Sequence, residues 1–220
     1  MEKPLNFILI GRSGSGKGTQ AELLMERFGN LCSISTGDLF RGLAKTGTDA
    51  GNKVKKILEE GGLPYDELAT TLWMHEIAFN IKENQGIIAD GFPRRLNEAK
   101  SLDNFLEFLG RKENTFYLLI DISRQDSFDR LTKRRICKKC GKLIPWVGDF
   151  KNLKACDDCG GELFTRADDT PEAINNRLNY YEERVVPVVK YYEEQGVLIK
   201  INGDQSIKDV FKDILKAIKK

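Results

Sequence analysis

Phe7-Ile8-Leu9-Ile10-Gly11-Arg12-Ser13-Gly14-Ser15-Gly16-Lys17-Gly18-Thr19 is the stretch on which the rest of the chain turns. Four apolar residues in a row predict a buried strand, and the run stops at a glycine. From Gln20 to Phe28, the residues Ala21, Leu24, Met25 and Phe28 recur at helical spacing. Strand, glycine-rich turn and helix in that order make a phosphate cradle. Glycines let successive backbone N–H groups point inward, the helix start adds partial positive charge, and Lys17 supplies a cation that can follow a phosphoryl group. Gly18 stands where Ser or Thr usually follows the lysine, with Thr19 one place later.

Outward from the cradle, three more apolar runs are separated by helical segments: Gly86 to Ala89, Phe116 to Ile120, and Val197 to Ile201. Strands alternating with helices predict a parallel sheet covered on both faces, an α/β fold. Helix starts are marked by Ser123 with Asp126, by Thr170 before Pro171, and by Ser206. Pro187 is expected to break or kink a long helix running from Pro171 toward Glu194. Two stretches interrupt the rhythm. Residues 35–64 are helical and glycine-punctuated, and residues 136–166 are rich in cysteine, glycine and charge. Both are expected to be insertions on the core.

With 35 basic and 33 acidic residues among 220, the net charge is only +2, so no global field draws the chain to nucleic acid or anionic lipid. Any anion site must be local. No apolar run approaches the roughly 20 residues needed to span a bilayer, and Met1 to Asn6 lacks a signal-peptide stretch. A cytoplasmic location is expected.

Four of the five cysteines cluster as Cys137-x2-Cys140 and Cys156-x2-Cys159, 15 residues apart, each pair followed by a glycine. That spacing fits a four-thiolate zinc site. A closed shell of four thiolates leaves no position for substrate, so the metal would be structural. Cys32 stands apart and is expected to be a small buried hydrophobe. The single histidine, His75, lies among Trp73, Ile77 and Phe79 and is expected to be partly buried and structural.

Lys17-Gly18-Thr19-Gln20 resembles the phosphate loop of adenylate kinases. Further segments agree in family order: Ser35-Thr36-Gly37-Asp38 with Arg41, Asp90-Gly91-Phe92-Pro93-Arg94, Arg130 to Arg135, and Arg166-Ala167-Asp168-Asp169 with Arg177. The resemblance covers nearly the whole chain and is to the long form with a zinc-bearing lid. It implies a P-loop core with a five-stranded parallel sheet (1–34, 65–135 and 167–220), a lobe binding a nucleoside monophosphate (35–64), and a zinc-ribbon-like lid (136–166) that closes over ATP. It also implies a monomer, with ATP and AMP as partners and two ADP as product.

Residue roles follow from the same resemblance. Gly14, Ser15, Gly16, Lys17, Gly18, Thr19, Arg130, Arg134, Leu143, Ile144 and Gln205 would bind ATP, with Arg130 stacked on its adenine. Thr36, Arg41, Gly62, Leu63, Pro64, Gly91, Phe92, Pro93, Arg94, Glu98, Arg166 and Arg177 would bind AMP. Lys17, Arg94, Arg134, Arg166 and Arg177 would carry catalysis, because phosphoryl transfer asks for positioning and charge stabilisation above all. Asp90, ending its strand, is placed to hold Mg²⁺ through water opposite Thr19. Asp168 is the expected partner orienting a lid arginine, while Arg111, Arg124 and Arg184 are expected to be solvated.

One position departs from the family. Adenylate kinases carry a glutamine four residues beyond the arginine of Asp90-Gly91-Phe92-Pro93-Arg94, and here Glu98 stands there. A carboxylate accepts only, which suits the adenine amino group but not N1, and would suit guanine better. Three alternatives stay open: Glu98 is protonated or turned away, Asn97 supplies the amide, or the acceptor is GMP or a pyrimidine monophosphate. AMP is retained as the expected acceptor. Two other classes remain: a binding module built on the zinc ribbon, with Lys133 to Arg135 and Lys138-Lys139 as its basic patch, and a P-loop ATPase.

Overall fold

The structure is a computed structural model that describes residues 4–60, 62, 64–165 and 169–218. In chain order its main elements are β1 (Asn6–Ile10), α1 (Lys17–Phe28), β2 (Leu31–Ser35), α2 (Thr36–Leu43), α3 (Asp49–Glu59), α4 (Asp66–Asn80), β3 (Gly86–Asp90) and α5 (Leu96–Phe108). There follow β4 (Thr115–Asp121), α6 (Arg124–Lys133), β5 (Arg135–Cys137), β6 (Leu143–Ile144), β7 (Leu163–Phe164), α7 (Pro171–Tyr180), α8 (Val186–Glu194), β8 (Leu198–Asn202) and α9 (Ile207–Ala217).

Five strands form one sheet in the order β2-β3-β1-β4-β8, every pairing parallel. Alternate side chains serve opposite layers, as the period of a strand requires. Phe7, Leu9, Ile88 and Leu118 pack against Leu24 of α1 and Val210 and Ile214 of α9. Ile8, Ile10, Ile87 and Leu119 pack against Trp73 of α4, Leu102 and Leu106 of α5, and Val188 of α8. β1, β3 and β4 are buried on both faces, which is why they read as unbroken apolar runs.

The apolar runs account for four of these strands. The fifth, β2, was not among them, because Ser33 and Ser35 interrupt its apolar residues. It lies at the sheet edge, and only Ile34 is fully buried. Ser123, Thr170 and Ser206 all act as N-caps, their hydroxyls accepting from the backbone N–H of Asp126, Ala173 and Asp209. The helix from Pro171 toward Glu194 is interrupted as expected: a π-turn at Tyr181–Val185 separates α7 from α8, and Pro187 sits in the first turn of α8.

Two polar groups pin the layers. Asp103 of α5 is buried and accepts from Tyr117 Oη at 2.9 Å, Tyr191 Oη at 2.9 Å and Tyr192 Oη at 3.2 Å. Burial first, then the charge of Asp103, pushes the Tyr117 and Tyr192 phenols well above their usual range. Arg111 is not solvated as expected. It is buried and donates to Asn6 Oδ1 and to the carbonyls of Lys82, Glu83 and Gln85, tying the α5–β4 and α4–β3 connections to β1. Arg124 reaches Asn175 and Asn179 on the surface, and Arg184 is exposed.

Two excursions leave the sheet. α2 and α3 lie between β2 and α4. Between α6 and α7 a small antiparallel sheet, β6-β5-β7, carries the cysteine segment. His75 is exposed rather than partly buried, stacked on Phe79 at 4.6 Å between centroids, away from the residues that line the cleft described next. Cys32 is half-buried against the α4–α5 layer.

Candidate active site

The sheet order changes direction at β1, with β3 on one side and β4 on the other. Ligands of open parallel sheets bind beyond the carboxyl ends of strands at such a switch point. A cleft of about 780 Å³ opens there, walled by the Gly11–Thr19 loop, the α2–α3 excursion and the cysteine-bearing lid. Gly14 and Gly16 hold φ of 80° and 98°, left-handed values that curl the loop so its N–H groups converge at the start of α1. Lys17 Nζ folds back to donate to the carbonyls of Gly11 and Arg12, each at 2.9 Å. Burial lowers its pKa to about 8, Asp90 pulls it up, and the nearby Arg94 and Arg134 push it down. Lys17 thus sits in a cationic, water-poor pocket suited to phosphate.

On the lid side, Arg134 Nε and Nη2 donate to the two oxygens of Asp169, the latter at 2.7 Å, and Arg177 Nη1 donates to Asp169 Oδ1 at 2.9 Å. The Asp169 carboxylate has no solvent exposure. Burial alone would raise its pKa, but the hydrogen bonds and charge of Arg134 and Arg177 outweigh this and hold it below the usual carboxylate range. One buried anion therefore fixes two cleft-lining cations against each other.

On the α2 side, Arg41 Nη2 donates to Asp38 Oδ1 at 2.6 Å. Arg94 Nε donates to Gly91 O at 2.6 Å, and Thr36 Oγ1 donates to the same carbonyl at 2.8 Å. An annexe of about 20 Å³ beside the main cleft is lined by Thr36, Phe40, Pro64, Arg94, Glu98 and Tyr180 among others. Glu98 is buried, and both its oxygens are taken: Oε1 accepts from Trp73 Nε1 at 2.9 Å and Oε2 from the backbone N–H of Arg94 at 2.6 Å. Burial pushes its pKa up, against the opposing pull of those donors.

In the lid, the Sγ atoms of Cys137, Cys140, Cys156 and Cys159 all lie within 4.8 Å of one another. The contacts Cys137–Cys159 at 3.4 Å and Cys140–Cys156 at 3.6 Å are far too long for disulfides. They approach the edge of about 3.8 Å that a tetrahedron of ~2.3 Å zinc–sulfur bonds has. Gly161 is needed here, since a Cβ on it would stand 2.6 Å from Cys137 Sγ. Backbone N–H groups of Cys140 and Lys139 favour the thiolate of Cys137. The donor set fits a closed structural zinc site.

The comparisons with known proteins agree with one another. A family model described as adenylate kinase matches residues 9–197. An adenylate kinase of Desulforamulus reducens is 38% identical over 216 residues, covering 98% of this chain and 100% of that protein. One from Oceanobacillus iheyensis is 39% identical over 217 residues, covering 98% and 100%. One from Desulfitobacterium hafniense is 41% identical over 216 residues, covering 97% and 98%. The chain belongs to the adenylate kinase family.

Set against the adenylate kinase pattern, most expected positions converge on the cleft. Gly14, Ser15, Gly16, Lys17, Gly18, Thr19, Arg130, Arg134, Leu143 and Gln205 line it, as do Arg41, Gly62, Pro64, Asp90, Gly91, Pro93, Arg94 and Arg177. Ile144 does not. It is buried beneath the lid sheet, because β-strand alternation turns it inward while Leu143 faces out. Phe92 is likewise buried, stacked on Trp73 at 5.1 Å, and supports the loop from below. Leu63, Arg166 and Asp168 lie outside the described residues. Arg130 donates to Gly203 O and Asp204 Oδ1, which holds its guanidinium beside Gln205.

Three contributors to this adenylate kinase cleft escaped the sequence reading. Asp169 is placed between Arg134 and Arg177, while Asp168, the expected partner of a lid arginine, lies outside the described residues. Nothing local marks Asp169 for that role, because Arg134 lies 35 residues away in the chain. Trp146 of the lid lines the cleft, flanked by the cations of Lys133 and Arg135. Arg12 lies over the Tyr181 ring at 4.5 Å and pairs with Asp121 at 3.1 Å and Glu182 at 2.7 Å, clamping the phosphate loop to the π-turn after α7. Its place inside the glycine loop was the only available signal.

Proposed function

We propose that this chain reversibly transfers the terminal phosphoryl group of ATP to AMP, giving two ADP. The observation that carries this is a single cleft with the phosphate loop and Lys17 on one wall and Arg94, Arg134 and Arg177 facing it. No histidine or nucleophilic pair is needed. Two nucleotides held end to end convert a bimolecular transfer into one between fixed partners. Lys17 and the loop N–H groups hold the ATP phosphates, Arg41 and Arg94 the AMP phosphate, and Arg134 and Arg177 the charge spread over the transferred group. Arg130 and Gln205 border the ATP base, and Thr36, Gly62, Pro64, Gly91 and Pro93 the acceptor. Adenylate kinases use Mg²⁺ with ATP. Bound there, it neutralises phosphate charge, and Asp90, whose Oδ2 faces the first turn of α1 near Gly18, would hold it through water with Thr19.

The working parts are the core (1–34, 65–135 and 167–220), the AMP lobe at 35–64, and the lid at 136–166, its hairpins joined by zinc on the four cysteines. Lid closure excludes water that would otherwise take the phosphoryl group. The rival acceptors, GMP and the pyrimidine monophosphates, rested on Glu98 reading the base, and its oxygens are committed elsewhere. Three of the lid's basic residues are paired internally, Lys138 with Glu162, Lys142 with Asp157 and Asp158, and Arg135 with backbone carbonyls, which argues against a nucleic-acid partner, and a monomer is retained. Among the described residues no helix is long and apolar enough to cross a membrane. A coupled assay with ATP plus AMP, GMP, CMP or UMP, and with ATP alone, tests the reading. Turnover should require a monophosphate and be fastest with AMP. Acceptor-independent hydrolysis or a GMP preference would overturn it.

A further inference from the structure

Glu98 is the third residue of α5, whose N-cap is Arg95. A carboxylate in the first turn is favoured by the partial positive charge of the helix start, and a side chain at this position reaches back to N–H groups just before the helix. Here it reaches the backbone N–H of Arg94 with Oε2, while Oε1 accepts from the indole N–H of Trp73. Trp73 has no solvent exposure and is stacked on Phe92, two residues before Arg94. A buried indole N–H without an acceptor is costly, and Glu98 provides it. Two donors therefore point at two oxygens of one side chain. An amide cannot serve both, because either orientation sets its NH₂ group against an N–H donor.

We infer that Glu98 is a positioning residue that fixes Arg94 through its backbone and Trp73 through its indole, rather than a reader of the acceptor base. Arg94 is then held at both ends of its local frame, by Glu98 at the backbone N–H and by Gly91 O at Nε. The inference rests on the reading that Arg94 grips the acceptor's phosphate. It carries a counter-intuitive consequence: Glu98→Gln, which installs the amide usual in the family, weakens the protein.

The test compares wild type, Glu98→Gln, Trp73→Phe and the double variant. Glu98→Gln should melt roughly 3–8 °C lower, the effect of one or two lost hydrogen bonds to a charged group in a chain this long. It should raise KM or lower kcat by about tenfold for AMP and GMP alike, with the AMP:GMP ratio of kcat/KM unchanged and KM for ATP within about twofold. In the Trp73→Phe background, one donor is gone and the amide can accept from Arg94, so Glu98→Gln should cost less than half as much in melting temperature. A change of more than about tenfold in the AMP:GMP ratio would show that Glu98 reads the base. Equal melting losses in both backgrounds, or none in either, would also overturn the inference. The melting comparison needs no catalysis, so it stands even if wild type fails to phosphorylate any monophosphate, a result that would sink the proposed reaction instead.

Discussion

Replacing Asp169 by asparagine should damage stability and turnover together, and the size of both effects follows from the geometry. The carboxylate is fully enclosed and accepts three hydrogen bonds, two from Arg134 and one from Arg177, whose side chains are only 13% and 14% exposed. Asparagine keeps the shape, removes the charge, and turns at least one N–H donor against another. Breaking a buried charge pair by removing one partner costs about 3–5 kcal/mol. The arginines border an open cleft and can swing toward water, so about 2–3 kcal/mol is the better figure, or roughly 4–12 °C in Tm for a chain this long. Freed from their shared anion, the two guanidinium groups lose registration with the phosphoryl group, and a displacement of ~1 Å is worth about a hundredfold in kcat. The pH sign is fixed as well. A carboxyl whose folded pKa lies below its unfolded value lends stability that is complete above the ordinary carboxylate range and disappears as pH falls through the depressed folded value. Asp169→Asn should therefore melt closer to wild type at acid pH than at neutral pH. Calorimetry across pH 3 to 8 and steady-state kinetics on both proteins read these quantities. A variant within 2 °C of wild type at neutral pH, with kcat within about twofold, would refute the claim that one buried anion organises both arginines.

Asp103→Asn, far from the cleft, should cost about 3 kcal/mol, seen as a lower urea midpoint with KM for both nucleotides unchanged, because three phenols lose their common charged acceptor. Lys17→Met should lower kcat by about 10²–10³ while circular dichroism and Tm stay near wild type, since among the described residues the lysine's hydrogen bonds go to loop carbonyls. Native mass spectrometry should find one zinc per chain, and Cys156→Ser or chelation should make the lid at 136–166 protease-sensitive without unfolding the sheet; a metal-free protein with a protected lid would contradict the four-thiolate reading.

Much of this protein was legible before any coordinates. The buried strands wrote themselves as apolar runs because both faces of the sheet are covered, and helix starts were marked by Ser123, Thr170 and Ser206, whose hydroxyls satisfy nearby N–H groups. The phosphate loop and the cysteine pairs were equally plain, since both depend on spacing within a few residues. What is not legible lies where the local pattern is weak or the partner is remote. β2 was missed because an edge strand with serines lacks the double-sided signal. Arg111 was assigned to solvent because its four acceptors lie in segments 26 or more residues away. Ile144 was placed in the cleft because the sequence does not say which side of a two-residue strand faces the ligand.

Composition and local spacing alone determined an α/β phosphate-binding chain with an insertion carrying four clustered cysteines, because strand period, loop chemistry and cysteine spacing are properties of neighbours in the chain. Tertiary structure alone decided that Asp169 bonds both Arg134 and Arg177, and that Glu98 faces Trp73 and Arg94. Those outcomes depend on what distant segments bring within about 3 Å, the range over which a hydrogen bond acts, and a linear sequence carries no such distances.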